Sequence, residues 1–300
     1  MEFKRITRSD INEQKWNHRI ENSDYPHAYG TTWFLDVVCP SGWEALIWGD
    51  YDAVMPLPIG EILFYKQTFT PFWIQQLGIF KRPGLEVDAE ALNIYINNTY
   101  RLFDICVFDP TDFKKEWVMN ERVNYELELG EYPKSAYSKN LKRLIKKAEK
   151  RELKWSKTTD SDRLIQFFRN NKGKEIDDYR DQDYDRLHQL IQQELDADRG
   201  IILQVKDQEE VIAMAFFHIS FGRATYLLGT SNAKGRSCGA MQFAMDVFIS
   251  NWSSQLEKLD FEGSVIPGIQ RFFKSFGASP IKYYRVKLNR LPFPLNLLKK

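Results

Sequence analysis

The chain has 300 residues, 43% of them apolar and 14% aromatic, which is enough for a packed core in one large or two moderate domains. Basic residues number 42 and acidic residues 41, so the overall charge gives no support for binding to a nucleic acid or a membrane. The three cysteines, Cys39, Cys106 and Cys238, are too few and too scattered for a disulfide framework and favour a reducing compartment. The longest apolar run, Val211 to Phe217, is far shorter than the roughly 20 residues of a spanning helix, and Met1 to Arg5 does not resemble a signal peptide. These features predict a cytoplasmic protein without a stable membrane span.

The residue pattern of the first half predicts an alternation of helices and strands. Helical periodicity and capping residues predict helices at 12–20, with Asp10 as N-cap, and at 88–99. Between them, a further helix is predicted to follow a cap at Thr31 or Thr32 and to include Val38. Runs of β-branched and aromatic residues between turn signals predict strands at 43–48, 53–59, 62–70 and 102–108.

The second half repeats this order of elements. Helices are predicted at 160–170, 183–195, 239–252 and 268–275. Strands are predicted at 201–206, 211–220, 222–230, 258–261 and 281–288. In both halves, helices precede a strand, a polar turn and a second strand, which indicates an internal duplication. We therefore predict a mixed α/β fold of two similar domains, 1–132 and 133–300.

A strongly basic segment, Ser138 to Lys154, lies near the start of the second half, with a helix predicted over 138–151. It holds eight basic and two acidic residues, so its net charge of +6 stands against −5 for the rest of the chain. Four apolar residues have helical spacing and predict one buried stripe: Leu141, Leu144, Ile145 and Ala148. Two interpretations stay open. The helix is either a solvated cover for the core or a surface for phosphates, of a nucleotide cofactor or a tRNA end, that uses Lys139, Lys142 and Arg143.

Three parts of the chain are similar to the Fem-like branch of the GNAT acyltransferase superfamily. Tyr137 to Lys150 resembles the basic helix of that group. Leu259 to Ser264, followed by Pro267 to Ala278, resembles its terminal strand, short helix and Phe-Gly turn. Gln75 to Phe80 is similar to its N-terminal portion. The resemblance implies two GNAT-like folds in tandem, each a twisted mixed sheet flanked by helices.

The resemblance also implies a reaction, that of a bacterial-type acyltransferase. GNAT enzymes move an acyl group from acyl-CoA to an amine, whereas Fem transferases proper carry aminoacyl groups from tRNA to cell-wall precursors. The long helical arm that is usual in the tRNA-using members has no counterpart in this sequence, so acetyl-CoA or another acyl-CoA is the preferred donor. The expected acceptor is an amine on a small molecule or a cell-wall precursor. An aminoacyl-tRNA donor, a non-catalytic GNAT-like binding protein and simple RNA binding are the alternatives.

In the GNAT superfamily, the cofactor pyrophosphate lies at a helix N-terminus. The signature Gln/Arg-x-x-Gly-x-Gly/Ala corresponds here to the consecutive residues Arg236, Ser237, Cys238, Gly239, Ala240 and Met241. Met241 departs from the small final residue of that signature. A plain loop-to-helix junction with Ser237 as N-cap explains the segment as well, and both interpretations stay open.

Asp260 and Glu262 are candidate catalytic carboxylates. They lie two residues apart on a predicted strand, so strand alternation places both on one face. Either carboxylate can serve as the general base for an amine acceptor, and Glu262 is the preferred candidate. The structural alternative is that one of them caps the following helix or pairs with Arg271, which is itself a candidate contact for an anionic substrate. The four histidines show no metal-ligand spacing, so no metal site is predicted.

Overall fold

The computed structural model describes residues 2–62, 64–130, 134–173 and 179–297. The chain divides into two compact units, the first formed by Met1–Val123 with Lys282–Lys300 and the second by Asn124–Ile281. The predicted domain boundary between residues 132 and 133 lies outside the described residues and stays a prediction. Among the helices of the described segments, none has both the length and the apolar composition needed to cross a membrane.

The elements follow the predicted alternation of helices and strands. The helices are α1 (Glu13–Glu21), α2 (Thr32–Val38), α3 (Ala89–Thr99), α4 (Lys139–Lys150), α5 (Ser161–Asn170), α6 (Asp181–Asp196), α7 (Ala233–Cys238), α8 (Ala240–Trp252) and α9 (Pro267–Ser275). The strands are β1 (Phe3–Thr7), β2 (Trp43–Trp48), β3 (Ala53–Ile62), β4 (Tyr65–Phe69), β5 (Phe80–Lys81), β6 (Leu102–Val107), β7 (Val118–Glu128), β8 (Lys154–Thr158), β9 (Gly200–Asp207), β10 (Glu210–Ser220), β11 (Arg223–Ser231), β12 (Lys258–Gly263) and β13 (Ser279–Asn289).

The sequence pattern missed four longer elements, β1, β7, β8 and α7. The strands β1 and β8 end the strand order of their units and are largely exposed, so they lack the apolar alternation of a half-buried strand. The predicted N-cap Asp10 was wrong. The cap of α1 is Asn12, whose side-chain oxygen accepts a hydrogen bond from the Lys15 N–H at 3.0 Å, because the helix begins two residues later than the Asp10 cap required.

The sheet of the first unit has the strand order β1-β2-β3-β4-β6-β13, with β5 beside β3. The β4–β6 pair is parallel, and the other neighbours are antiparallel. β13 completes the sheet from the far end of the chain, and the Arg285 guanidinium on β13 binds the Asp104 carboxylate on β6 at 2.6 Å. The core beneath the sheet is built from apolar and aromatic side chains of α3 and the strands, including Trp48, Phe103 and Val286.

The sheet of the second unit has the order β7-β12-β11-β10-β9-β8. Here the β11–β12 pair is parallel, and the other neighbours are antiparallel. α8 packs against β9, β10 and β11, and α4 packs against α8. We count the strands from β1 in the first unit and from β8 in the second. Each unit then has four antiparallel strands, a fifth strand parallel to the fourth, and a sixth antiparallel to the fifth. This shared topology supports the internal duplication that the order of elements predicted.

A buried charge cluster connects α6 to β10 in the second unit. The Glu194 carboxylate is fully buried and accepts a hydrogen bond from the Arg199 guanidinium at 2.7 Å, while His218 Nδ1 lies 3.1 Å from Glu194 Oε2. Burial alone would raise the pKa of Glu194, but the hydrogen bonds from His218 and Arg199 outweigh it and lower the pKa from 4.5 to about 2. The carboxylate therefore stabilises the fold in its ionised form.

We expect Glu194→Gln to lower the free energy of unfolding at pH 7 and to flatten its decline in acid. Because the pKa of Glu194 is lower in the folded chain, its contribution is complete above pH 4.5 and is lost as the pH falls towards 2. The shift corresponds to about 3 kcal/mol. Urea unfolding between pH 7 and pH 2.5 measures the difference between the wild type and the variant. Glu209→Gln, at an exposed turn position, is the matched control, and equal pH profiles for all three proteins would contradict the assignment.

Candidate functional site

The parallel strands β11 and β12 separate soon after they meet. Three residue pairs are in register: Arg223 with Lys258, Ala224 with Leu259, and Thr225 with Asp260. β11 continues to Ser231 and β12 to Gly263 without further pairing between them. Among the described residues, no other strand takes the vacated edge of β11. On this edge, the peptide groups of β11 beyond Thr225 have no partner strand among the described residues, although the Ser231 carbonyl accepts a hydrogen bond from Arg236.

A buried arginine holds the point where the two strands separate. Nη1 of Arg223 on β11 donates to Glu126 on β7 at 2.6 Å and to Asp260 on β12 at 2.9 Å. All three side chains are less than 9% exposed, so the charges must compensate one another. One guanidinium thereby joins three neighbouring strands.

Asp260 is fully engaged in this structure. Its Oδ2 accepts the hydrogen bond from Arg223, and its Oδ1 accepts one from the Glu262 backbone N–H at 2.8 Å. Asp260 therefore forms a structural ion pair, but its partner is Arg223 on β11 and not the predicted Arg271. Arg271 is exposed on α9. Its predicted contact with an anionic substrate stays a prediction.

Glu262 lies in a bulge at the end of β12. The register with β7 passes from Asp260 opposite Glu126 to Gly263 opposite Asn124, so β12 has one extra residue there. Glu262 has a φ of 60°, which is uncommon for a residue with a side chain. The bulge interrupts strand alternation, so the argument that placed Asp260 and Glu262 on one face does not hold. Glu262 is half-buried beside the region where β11 and β12 are no longer paired.

The predicted cofactor loop, residues 236–240, is mostly helical. α7 begins after Asn232, whose side chain caps it, and the Arg236 guanidinium folds back to the Ser231 carbonyl at 2.7 Å. Ser237 and the buried Cys238 belong to α7, and Ala240 is the first residue of α8. The N-cap of α8 is Gly239, so the predicted cap Ser237 was wrong. The sequence pattern did not predict α7, because only Asn232 separates this short helix from the end of β11.

Gly239 allows α4 to approach this junction closely. Its φ is 79°, and a side chain on it would stand 3.2 Å from both the Cβ and the carbonyl oxygen of Leu144. Nearby, Lys147 Nζ donates to the Ser237 carbonyl at 2.7 Å. The structure therefore brings the basic helix and the predicted cofactor loop together, although they are about ninety residues apart in the sequence.

The charge distribution on α4 agrees with the predicted helix. Of the four residues of the predicted apolar stripe, Leu141, Ile145 and Ala148 are buried and Leu144 is half-buried. The basic side chains on the other faces are exposed, and they are Lys139, Lys142, Arg143, Lys146, Lys147 and Lys150. A positive surface thus borders the N-terminus of α8, where the helix dipole also favours an anion. In the part of the chain that the structure describes, no group of histidine, cysteine and carboxylate side chains is arranged to hold a metal ion.

The corresponding parallel pair in the first unit is closed by the chain itself. β4 and β6 are in register from Gln67–Leu102 to Phe69–Asp104. Beyond that point, Thr70 Oγ1 accepts a hydrogen bond from the Cys106 N–H at 2.7 Å, and the Leu77 N–H donates to the Cys106 carbonyl at 2.8 Å. The segment that follows β4 therefore bonds to β6, the strand that corresponds to β12 in the second unit.

Sequence reasoning missed Arg223, which pairs with Asp260, and Glu126, the second carboxylate that Arg223 binds. The alternation from Val123 to Glu128 was a usable strand signal, and it would have placed Glu126 on β7. Nothing in the local pattern identifies Arg223 as the partner, because the pairing depends on which strands become neighbours.

A family model matches part of the sequence, and several solved structures share the fold of the chain. Residues 135–256 match the family model described as Acetyltransferase (GNAT) domain. No curated protein matches the sequence. The structure is similar to FemX, with a TM-score of 0.67, 13% identity and 100% of each chain covered. It is similar to L-PGS from Bacillus licheniformis, with a TM-score of 0.56, 12% identity and coverage of 96% of this chain and 94% of that one.

A tandem GNAT protein from the clavulanic acid biosynthesis pathway has the same fold, with a TM-score of 0.52, 10% identity and coverage of 97% of this chain and 99% of that one. These findings confirm the predicted resemblance and the tandem GNAT-like fold. At this level of identity, the similarity to the solved structures concerns the fold alone.

The two carboxylates of β12 should differ in their effect on stability. Asp260→Asn leaves the buried Arg223 with one carboxylate in place of two, and we expect the free energy of unfolding to fall by about 3 kcal/mol. Glu262→Gln alters a half-buried side chain and should cost roughly 0.5 kcal/mol. Urea unfolding of both variants at pH 7 measures the difference. A small loss for Asp260→Asn would contradict the structural role of the Arg223 cluster.

Proposed function

We propose that this protein transfers an acyl group from acyl-CoA to an amine acceptor, because residues 135–256 match the family model of the GNAT acetyltransferase domain and the fold is similar to that of FemX. The observation that carries the proposal is the open edge of β11 beyond Thr225, which leads to the N-terminus of α8 and to the basic helix α4. The acceptor is an amine on a small molecule or on a cell-wall precursor.

The phosphates of the donor bind at the junction of α7, α8 and α4. The segment from Arg236 to Ala240 supplies the approach to the α8 N-terminus, whose dipole favours anions. Lys139, Lys142 and Arg143 supply mobile positive charge on the adjoining helix. This arrangement needs no metal ion to neutralise the phosphates.

The acyl group lies where β11 and β12 separate. A free N–H on the vacated edge of β11 donates to the thioester carbonyl and stabilises the negative charge that develops on its oxygen. The amine attacks the carbonyl carbon, a C–N bond forms, and the C–S bond breaks to release the thiolate. Glu262 accepts the proton that the amine loses. The uncommon φ of Glu262 fits this role, because backbone strain concentrates at functional sites.

A second candidate donor is aminoacyl-tRNA, and the length of the basic surface favours it. α4 has 12 residues and is therefore about 18 Å long, with exposed lysine or arginine side chains from its first residue to its last. A pyrophosphate occupies only a small part of such a surface, whereas an RNA end can follow all of it. The two donors differ in the salt dependence of binding, which is steep for a long polyanion.

We expect acetyl-CoA to bind saturably in isothermal calorimetry and the double variant Lys142→Glu, Arg143→Glu to weaken the affinity by at least about tenfold. Arg163→Glu, an exposed site on α5, is the control for a general change of charge. Absence of binding to short- and long-chain acyl-CoA would overturn the CoA proposal. Salt-sensitive binding of aminoacyl-tRNA in the same experiment would then establish the second candidate, and binding of neither donor would indicate a non-catalytic protein.

Glu262→Gln should lower kcat for acyl transfer by roughly 10²- to 10⁴-fold, because the amide cannot accept the amine proton. Release of free thiol from acetyl-CoA in the presence of a panel of amines measures the rate, and calorimetry should give an unchanged Kd for the donor. Glu209→Gln, at the exposed β9–β10 turn, should retain the wild-type rate. Retained activity in Glu262→Gln would exclude this residue as the base.

A further inference from the structure

Tyr226 is the first residue of β11 beyond the last pair with β12, so its side chain starts where the strands separate. Phe216 lies opposite Leu228 and Phe217 opposite Tyr226, which makes Leu227 an extra residue in β11. Such a bulge shifts the alternation of the strand by one position. Tyr226 and Gly229 therefore come to the same face of β11, although they are three residues apart.

The absence of a side chain at Gly229 makes room for the Tyr226 phenol. A Cβ built on Gly229 would stand 1.9 Å from the Tyr226 hydroxyl oxygen and 2.5 Å from the ring carbon that bears it. No residue other than glycine is compatible with this position of the ring. The phenol thus lies along the strand from the point of separation towards the helical junction.

The far end of the Tyr226 side chain reaches α8. Its hydroxyl donates to Met241 Sδ at 3.4 Å, and this is its only hydrogen bond among the described residues. A thioether is a weak acceptor, so the bond is easily given up. Met241 is the residue that departs from the GNAT signature, and its sulfur here accepts the hydrogen bond that joins Tyr226 to α8. Burial raises the pKa of the Tyr226 hydroxyl, which keeps the donor protonated at neutral pH.

We propose that Tyr226 gates the donor site: its side chain extends from β11 to α8 and must rotate away before the arm of an acyl-CoA can lie along β11. The inference rests on the proposed function, because it assumes that the donor extends from the α8 N-terminus to the point where β11 and β12 separate. A donor has to cross the span from Met241 to Thr225, and the phenol covers that span. The apparent affinity for the donor is then the intrinsic affinity multiplied by the fraction of molecules in which Tyr226 has rotated away.

Three single variants test the gate. Tyr226→Ala removes the phenol, and Gly229→Ala displaces it by placing a Cβ on the hydroxyl position. Tyr226→Phe is the matched control, since it removes only the bond to Met241 and keeps the ring over Gly229. Calorimetry with acetyl-CoA should give a Kd about tenfold lower than wild type for the first two variants and within about twofold of wild type for Tyr226→Phe.

The outcomes separate this inference from the proposed function. Equal Kd values for all four proteins, or weaker binding by Tyr226→Ala, overturn the gate and leave acyl-CoA binding intact. Absence of binding by all four proteins overturns the proposed donor and the gate together. Thermal unfolding shows whether Gly229→Ala is folded, and Tyr226→Ala tests the gate without adding any atom to the site.

Discussion

The arrangement of the second unit depends on one buried guanidinium. Arg223 compensates two buried carboxylates on neighbouring strands, Glu126 and Asp260. The cluster fixes β7, β12 and β11 at the last level where the parallel strands are paired. Past that level the two strands are no longer paired. The open edge of β11 therefore begins directly beside the buried charge cluster.

The same cluster separates the roles of two carboxylates that look alike in the sequence. Asp260 uses one oxygen for Arg223 and the other for the Glu262 N–H, so both of its oxygens already have a partner within the protein. The hydrogen bond from the Glu262 N–H to Asp260 also stabilises the bulge in which Glu262 lies. A structural carboxylate thus positions the backbone of a candidate catalytic one. Burial and hydrogen bonding identify the structural role of Asp260, and strand position alone does not.

Periodicity in the sequence predicted the amphipathic helix α4 and the hairpin of β9 and β10, because their local pattern and their burial agree. It missed β7, whose alternation is clear only from Val123 onwards, and it missed edge strands that bury little apolar surface. The sequence predicted the basic helix, the 236–240 segment and the β12 carboxylates one by one, without the contacts between them. The contact of Lys147 with Ser237 and the bond of Tyr226 to Met241 depend on helix packing over long sequence distances. Local patterns contain no information about such contacts, and a bulge such as that at Glu262 reverses the expected face without changing composition.

The closing strand of the first unit has a consequence for how the chain folds. β13 pairs with β6 through residues such as Arg285 and Asp104, which are 181 positions apart. During synthesis, β6 leaves the ribosome with an unpaired edge that stays exposed until nearly all of the second unit has emerged. The unit that is made first is thus the one whose sheet is finished last, and its folding rate is limited by the closure of a very long loop. Until then, the edge of β6 is a site for pairing with the wrong strand or with another chain.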